Sequence, residues 1–213
     1  MKKILAMMMA VMMVVSMAAC AKKTNDETTA APEVTTEATT EAPELAYKSA
    51  EELLVLLMDS YNATATDETK LYVCGGNINN FETTNTEGPA KFVALEDADF
   101  DTNLGYPTAD VAKQDDAASM FNMMNVNVFN CYAVHFTDSA DVDTMAEAIK
   151  ENILNRQWIC GSPEKLVIAK MPGDYLVVVW GAVEFGGIVD PFTASFADTV
   201  EGSAIVIEHS FAQ

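Results

Sequence analysis

The first twenty residues limit how much of this 213-residue chain can enter a folded domain. Lys2 and Lys3 precede an apolar run over residues 4–15, and the segment closes with Met17-Ala18-Ala19-Cys20. A basic start, a short apolar core and small residues before a cleavage point are typical of a secretory signal peptide. The apolar run is shorter than a transmembrane helix requires. We therefore predict that residues 1–19 are a signal peptide.

The last four residues of this segment resemble a bacterial lipobox. In that resemblance a peptidase cleaves before Cys20, and the Cys20 thiol carries a diacylglyceryl group. Two acyl chains are enough for stable attachment to a membrane. The resemblance implies that the protein is extracytoplasmic and that its lipid anchor holds it at the cell membrane. The alternative is an ordinary signal peptide in which this cysteine occurs by chance.

The next segment, residues 20–45, is dominated by Thr, Ala, Glu and Pro and has no aromatic side chain. A segment of this composition buries too little apolar surface to offset the entropy lost on ordering. We predict a disordered tether that begins at the lipidated cysteine, with a glycosylated stalk as the alternative. One folded α+β domain is then expected over residues 46–213.

The charge of the chain argues against a nucleic-acid partner. Its 12 basic and 32 acidic residues give a net charge of −20, and loss of Lys2 and Lys3 with the signal peptide makes it −22. Nucleic-acid binding requires basic side chains that neutralise phosphates, so we expect no nucleic-acid partner.

Walker, dinucleotide-binding and nucleophile-elbow motifs are absent from the sequence, and no cofactor is expected.

The first half of the folded part gives an incomplete pattern. Ser49 and Glu52 are spaced as a capping box before a leucine-rich amphipathic helix. Residues 70–74 are typical of a strand. From residue 77 to residue 114 only the stretch 90–95 has strand character, and a loop of that length is unusual in a small domain.

The second half has a regular alternation of predicted elements. The pattern predicts a short helix over residues 115–122, a strand over 126–136 and a helix over 142–153. It then predicts a β-hairpin around Pro172-Gly173 over 165–181, a helix over 190–200 and an edge strand over 203–208. From residue 126 onward this is the βαββαβ order of the ferredoxin-like fold. Right-handed crossovers would place both helices on one face of an antiparallel sheet, with the extra N-terminal helix and strand packed against it.

Part of this half resembles a known family. His135-Phe136-Thr137-Asp138, the helix over residues 145–155 and Tyr175-Leu176-Val177-Val178-Val179 are similar to an uncharacterised family of small Gram-positive lipoproteins, known only as a domain of unknown function. The resemblance extends over about residues 115–200. It implies a lipoprotein with the same order of elements, and it assigns no catalytic residue.

Three cysteines remain in the folded domain beside the lipidated one. Cys131 and Cys160 lie on or near core elements, so a disulfide between them is one prediction for an exported protein. The alternative is that these two residues and Cys74 are small buried hydrophobic side chains. None of the cysteines has the C-x-x-C spacing of a thioredoxin-type site.

An acidic stretch supplies the candidate metal ligands. Asp97, Asp99 and Asp101 alternate along the chain, and carboxylate oxygens are the ligands that calcium prefers. An EF-hand loop that began at the first of these would need Gly and Glu where the sequence has Thr102 and Thr108. The alternative is a solvated acidic loop.

Other polar motifs are weaker. Ser162 and Lys165 have the S-x-x-K spacing of penicillin-recognising enzymes, but the partner motifs Ser-Asp-Asn and Lys-Thr-Gly are absent. We expect Ser162 to cap a helix or turn. His135 and His209 show no metal-ligand spacing, and we expect each to be hydrogen-bonded or exposed.

A methionine-rich cluster precedes the central strand. Met120, Phe121, Met123 and Met124 could form an adaptable binding surface or part of the core, and the sequence favours the core.

These patterns identify no catalytic residue. We expect a non-catalytic module that contacts an envelope protein, which requires an exposed apolar patch or an open strand edge. The first alternative is a small-ligand receptor, which requires a concave pocket with a few polar groups. The second alternative is an unrecognised envelope hydrolase, which requires titratable side chains that converge in a cleft.

Overall fold

The structure is a computed structural model that describes residues 44–125, 128–159, 161–184 and 187–212. The predicted signal peptide, the lipidation site Cys20 and nearly all of the tether lie outside the described residues, and so does Cys160. Residues 43–213 form one unit by themselves. This unit has an α+β fold in which helices pack against an antiparallel sheet, as the sequence predicts.

The elements follow one another with few long connections. In chain order they are α1 (Ala50–Thr64), β1 (Cys74–Gly75), β2 (Ala90–Lys91), α2 (Ala98–Leu104), a 3₁₀ helix (Thr108–Lys113), β3 (Gln114–Phe121), β4 (Phe129–Phe136), α3 (Asp141–Leu154), β5 (Lys165–Met171), β6 (Tyr175–Gly181), α4 (Val189–Ala194), α5 (Phe196–Thr199) and β7 (Ala204–Ser210). No helix in the described part of the chain combines the length and apolar character needed to cross a bilayer.

The sheet is antiparallel throughout and has the order β3-β4-β6-β5-β7. The two-residue strands β1 and β2 both pair with the outer edge of β3. The register places Asn130 of β4 opposite Phe121 of β3 and Trp180 of β6. These three residues therefore form a row across the sheet where β3 ends and β4 begins.

The sheet separates two hydrophobic cores. On one face α1, α4 and α5 pack against side chains such as Cys131 and Val177. On the other face α2 and α3 pack against side chains such as Tyr132 and Trp180. Because successive side chains of a strand point to opposite faces, β6 is buried along its whole length.

The capping box before α1 is confirmed. The Ser49 hydroxyl accepts a hydrogen bond of 3.1 Å from the backbone N–H of Glu52. The Glu52 carboxylate accepts one of 2.8 Å from the backbone N–H of Lys48, one residue before the helix cap. Leu53, Leu54 and the other buried side chains of α1 then enter the first core.

The ferredoxin-like arrangement is not confirmed, although the chain order β4-α3-β5-β6-α4-α5-β7 agrees with the predicted sequence of elements. In the ferredoxin-like fold the last strand pairs beside the first, whereas here β7 pairs with β5 and β3 lies beside β4. The β4–β5 connection and the β6–β7 connection each pass over one strand toward the same edge of the sheet. The strands β4 and β5, however, run antiparallel to β6 and β7. Right-handed crossovers then place their helices on opposite faces. The expectation that both helices share one face is therefore wrong.

The predicted helix over residues 115–122 is also wrong, because this segment forms most of β3. Its last five residues are all buried, since both faces of β3 are covered. A strand that is covered on both sides has no polar–apolar alternation, and its Ala, Ser and Met residues favour a helix as an isolated segment. Pairing with β4 outweighs that local preference.

The predicted hairpin is confirmed between β5 and β6. Gly173 has a φ of +76°, a backbone conformation that favours glycine, and Asp174 follows with a φ of +63°. The predicted helix over residues 190–200 is divided into α4 and α5 at Ser195. The predicted edge strand at the end of the chain is β7.

Candidate functional site

A small cavity of about 110 Å³ lies where β3 ends and β4 begins. Its walls come from four separate parts of the chain: the segment after β1, the last turn of α2, the paired strands β3 and β4, and the residues after α3. The lining residues are Gly76, Ile78, Thr102, Asn103, Leu104, Ser119, Phe121, Asn130 and Arg156. Pockets for drug-sized ligands measure about 300–1,000 Å³, so this cavity fits a molecule of few atoms.

Asn130 is the buried polar side chain in the wall of this cavity. It is 4 % exposed, and its Oδ1 atom has no hydrogen-bond partner. A buried polar atom that stays unpaired costs about 1–3 kcal/mol. Asn130 therefore places an unused hydrogen-bond acceptor in the wall of the cavity.

Three further polar side-chain atoms are also buried and unpaired. They are the hydroxyl of Tyr132 and the indole N–H groups of Trp158 and Trp180. The Tyr132 and Trp180 ring centroids are 6.2 Å apart, and those of Trp158 and Trp180 are 6.0 Å apart. We call Asn130, Tyr132, Trp158 and Trp180 the orphan cluster.

Most of the buried side-chain atoms that lack a hydrogen-bond partner belong to the orphan cluster. The described residues have five buried side-chain N or O atoms without a partner, and the fifth is the Ser203 hydroxyl, which precedes β7 at the other end of β5. Native proteins leave few such atoms unpaired, and those that remain call for a water, an ion or a ligand. Three larger grooves on the described surface, of about 380–670 Å³, are lined by none of the cluster residues.

The hydroxyl of Tyr132 is held in its neutral form. Burial raises the pKa of Tyr132 well above its ordinary value of 10, and the positive charge of Arg156 only partly opposes this. Tyr132 is therefore a hydrogen-bond donor at any physiological pH.

Arg156 supplies the positive charge of the cavity and is the only arginine in the sequence. Its guanidinium group donates a hydrogen bond to the Thr102 carbonyl and lies 5.1 Å from the centre of the Trp158 ring. Burial lowers the pKa of Arg156, while the nearby Asp101 carboxylate raises it, and a guanidinium stays charged in proteins. No carboxylate of the described residues lies within 4 Å of it.

Another part of the cavity wall is fixed by Ser119. The Ser119 hydroxyl donates a hydrogen bond of 2.7 Å to the Gly76 carbonyl and accepts one of 3.0 Å from the Gly76 N–H. Gly76 has a φ of +92°, a backbone conformation that favours glycine. Both functions of the Ser119 hydroxyl are therefore occupied by the backbone.

Asp99 organises the segment between β1 and α2. Its buried carboxylate accepts hydrogen bonds from the side chains of Asn77 at 2.7 Å and Asn79 at 2.9 Å, and from the backbone N–H of Leu95 at 2.8 Å. Burial acts to raise the pKa of Asp99, but these bonds together lower it below its usual value of 3.8. The stretch that gave no clear pattern in sequence is thus held by an asparagine–aspartate network.

The three predicted calcium ligands do not converge. Asp97 is exposed, Asp99 is buried in the network described above, and Asp101 accepts a hydrogen bond of 2.7 Å from the Asn152 side chain. Within the described residues no three His, Cys, Asp or Glu side chains are grouped to hold a metal ion. The acidic stretch forms α2 and supports the cavity wall instead.

Cys74 and Cys131 do not line the cavity. Both residues are buried, and burial raises the pKa of each thiol. Cys131 packs in the core between the sheet and α1. Since Cys160 lies outside the described residues, its pairing with Cys131 stays a prediction.

The structure also separates the other polar candidates from the cavity. His135 contacts Asp115 through Nδ1 at 2.5 Å, and His209 lies beside Phe211. Lys165 forms ion pairs with Asp190 and Glu208, whereas Ser162 is exposed in a loop; the two do not share a helix face.

The methionine-rich cluster is divided between core and surface. Met120 and Phe121 are buried, as the sequence favours, and Phe121 lines the cavity. Met123 and Met124 are exposed by 65 % and 92 %.

Comparisons of the chain with family models, with curated proteins and with solved structures find no match. A functional assignment therefore depends on the residues of the cavity. Sequence patterns alone did not point to Asn130 or Arg156, although two signals were present: an asparagine interrupts the apolar face of β4, and the chain has a single arginine. Neither signal shows that residues from such distant segments meet.

Proposed function

We propose that this protein is a membrane-anchored extracytoplasmic lipoprotein whose folded domain binds a small molecule without converting it. The observation that carries the proposal is the orphan cluster, which joins the cavity through Asn130. Buried groups that lack partners inside the protein gain most from a partner supplied by a ligand. A small-ligand receptor therefore agrees with the geometry better than the interaction module that the sequence alone favours.

The cavity is better suited to binding than to catalysis. Among its described lining residues Arg156 is the one ionisable side chain, and an arginine does not give up its proton in a protein. The Ser119 hydroxyl is engaged with the backbone. His135 is five residues from Asn130 along β4, about 17 Å away. No described residue is placed to transfer a proton at this site.

The membrane location is supported mainly by the sequence of residues 1–20. The basic start, the apolar run and the lipobox-like Met17-Ala18-Ala19-Cys20 agree with one another. The resemblance of residues 115–200 to a Gram-positive lipoprotein family points to the same location. In this proposal the acidic tether holds the binding domain away from the bilayer.

Native mass spectrometry tests the binding function directly. The domain over residues 44–213 is incubated with the low-molecular-mass fraction of spent bacterial growth medium and then exchanged into volatile buffer. We expect a retained small-molecule adduct in the wild type and its loss in Asn130→Leu, which keeps the side-chain size and removes the amide. Ser203→Ala is the matched control, because it removes the one orphan atom outside the cluster.

Two results would contradict the binding function. One is the absence of any adduct in the wild type. The other is an adduct that Asn130→Leu retains in full.

A second observation favours an interaction module as the alternative function. β7 pairs with β5 on one side only, and no strand of the described residues covers its other edge. Ile205 and Val206 on this strand are 45 % and 41 % exposed. An open strand edge with apolar side chains can accept a strand from a partner protein.

The edge hypothesis predicts that Val206→Lys abolishes capture of envelope proteins by the domain in a pull-down from solubilised membranes. Lysine on an edge strand opposes strand addition. Ala63→Lys adds the same charge on the exposed side of α1 and should leave capture unchanged. Equal recovery by Val206→Lys and wild type would eliminate the β7 edge as a docking site.

A further inference from the structure

We infer that the cavity accepts a small carboxylate that also carries a hydroxyl or amino group, an inference that rests on the proposed binding function. Three properties of the cavity restrict the ligand: the charge of Arg156, the unpaired amide oxygen of Asn130, and the volume. Each of these properties restricts the chemistry of the ligand separately.

The charge of Arg156 selects an anion. Its one hydrogen bond within the described residues is to the Thr102 carbonyl, and a guanidinium has five N–H donors. The Trp158 ring beneath the guanidinium keeps it in place without neutralising it. A half-buried cation with no carboxylate of the described residues within 4 Å is a strong site for an anionic oxygen, because the charge is only partly solvated.

The charge also limits the ligand to one negative group. Arg156 is the only cation in the wall, and the Asp101 carboxylate acts on it from beyond 4 Å. The whole chain is strongly negative. A phosphate with two charges would be poorly compensated here, whereas a planar carboxylate matches the planar guanidinium and needs one positive charge.

The orphan cluster is rich in donors and has one acceptor. Tyr132, Trp158 and Trp180 each have an unused O–H or N–H group, but none of these three residues lines the cavity. Asn130 does line it, and its Oδ1 atom needs a donor on the ligand. A hydroxyl or amino group near the carboxylate supplies that donor.

The acceptor makes the site selective. A ligand that has a carboxylate but no donor would leave the Asn130 oxygen unpaired after water has been displaced. Sites built to pair a buried polar group reject analogues that lack the matching group much more strongly than apolar pockets reject a missing methylene. The small volume of the cavity favours the shortest members of the class.

Isothermal titration calorimetry with matched small probes tests this chemistry on the domain over residues 44–213. Glycolate has the carboxylate and the donor, acetate lacks the donor, and glycolamide lacks the charge. Glycine and lactate extend the series to an amino group and to one additional methyl. We expect glycolate, glycine or lactate to bind at least about tenfold more tightly than acetate and glycolamide.

Two variants test which residue recognises the carboxylate of the ligand and which recognises its hydroxyl or amino group. Arg156→Gln should weaken glycolate binding by about tenfold or more and remove the preference over glycolamide. Asn130→Leu should remove the preference of glycolate over acetate. Lys150→Gln deletes one positive charge from α3 outside the cavity and should leave all affinities unchanged. Far-ultraviolet circular dichroism of each variant reports whether the fold is kept.

The outcomes separate this inference from the binding function on which it rests. Equal affinity for glycolate and glycolamide, or failure of glycolate, glycine and lactate alike to bind, overturns the carboxylate inference. The binding function survives that result if native mass spectrometry still shows an adduct that depends on Asn130. Loss of that adduct as well overturns both.

Discussion

Asn130 is the residue at which stability and the candidate function are in conflict. It occupies an apolar strand face between Phe121 and Trp180, where an aliphatic side chain would pack without leaving an unpaired amide oxygen. The same conflict holds for Tyr132, Trp158 and Trp180, because each has a buried polar atom without a partner. Residues of this kind are retained where they contribute something other than folding.

Tyr132→Phe should leave the free energy of unfolding of the ligand-free domain unchanged or raise it by about 1 kcal/mol, because it removes a buried hydroxyl that has no partner. Tyr106→Phe is the matched control, since Tyr106 is equally buried and donates a hydrogen bond of 3.0 Å to the Asp110 carbonyl. That control should lose about 1 kcal/mol. Urea unfolding measures both, and an equal loss in the two variants would contradict the orphan assignment.

The network around Asp99 predicts a pH dependence of stability. The pKa of Asp99 is lower in the folded state than its usual 3.8, so the unfolded chain binds this proton more readily. The stabilisation is therefore complete above about pH 4 and is lost as the pH falls through the folded-state pKa. Asp99→Asn should be less stable at pH 7 and should have a shallower loss of stability between about pH 5 and pH 2.

The comparison for that experiment is Asp97→Asn, which changes an exposed carboxylate beside the same helix. Unfolding free energies are measured in urea at each pH. If Asp99→Asn and wild type lose stability in parallel over this range, Asp99 does not hold the segment as described.

At the scale of elements, the helix starts differ in how they are capped. Ser49 caps α1 through its side chain, whereas α3 begins after Ala140 with no side-chain cap. The sequence has a serine before both of these helices, and Ser139 looks as suitable as Ser49. The difference arises because Glu52 completes a capping box at α1, and α3 has no equivalent residue.

Ser49→Ala should therefore lower the free energy of unfolding by about 1 kcal/mol, because a backbone N–H of the first turn of α1 loses its acceptor. Ser139→Ala should change it by less than about 0.5 kcal/mol. Chemical denaturation of the two variants beside wild type provides the test. A loss at Ser139 as large as that at Ser49 would show that the α3 start is capped in solution.

The sequence predicted elements well where one side of the element is solvated, as in α1 and α3, or where turn residues mark a hairpin, as between β5 and β6. α1, α3 and the β5–β6 hairpin show the expected periodicity or turn residues, and the structure confirms them. β3 was mistaken for a helix because it is covered on both faces. The segment from residue 77 to residue 114 is held by side-chain hydrogen bonds at specific distances, which no periodicity reveals.

The candidate site was predictable only in fragments. A single arginine, two tryptophans and an asparagine in an apolar strand are visible in the sequence. Their meeting depends on the order β3-β4-β6-β5-β7 and on α3 packing over one face. The predicted ferredoxin-like order would have placed a different strand beside β4.

For the whole molecule, the proposal joins a folded binding domain to a lipid anchor. The domain needs no partner to bury its cores, because helices cover both faces of the sheet. Attachment would then depend on Cys20 and the tether alone. The net charge of −22 expected after signal cleavage favours a soluble surface and repels an anionic membrane.

Cys20→Ala should abolish incorporation of radiolabelled palmitate and release the protein from the membrane fraction, because the acyl acceptor is lost. Cys74→Ala, which changes a buried thiol of the domain, should keep both the label and the membrane location. Persistence of the label in Cys20→Ala would rule out the lipoprotein hypothesis.

The central claim is that the orphan cluster is a ligand-binding site, and the two indole N–H groups of the chain report on it. Trp158 and Trp180 are the only tryptophans, and both belong to the cluster. A ¹H–¹⁵N correlation spectrum of the domain during titration with glycolate therefore contains two indole signals, which Trp158→Phe assigns. We predict that both signals shift in a saturable manner with the same dissociation constant. Indole signals that stay in place up to the solubility limit of glycolate, and also when the small-molecule fraction of growth medium is added, would contradict the claim.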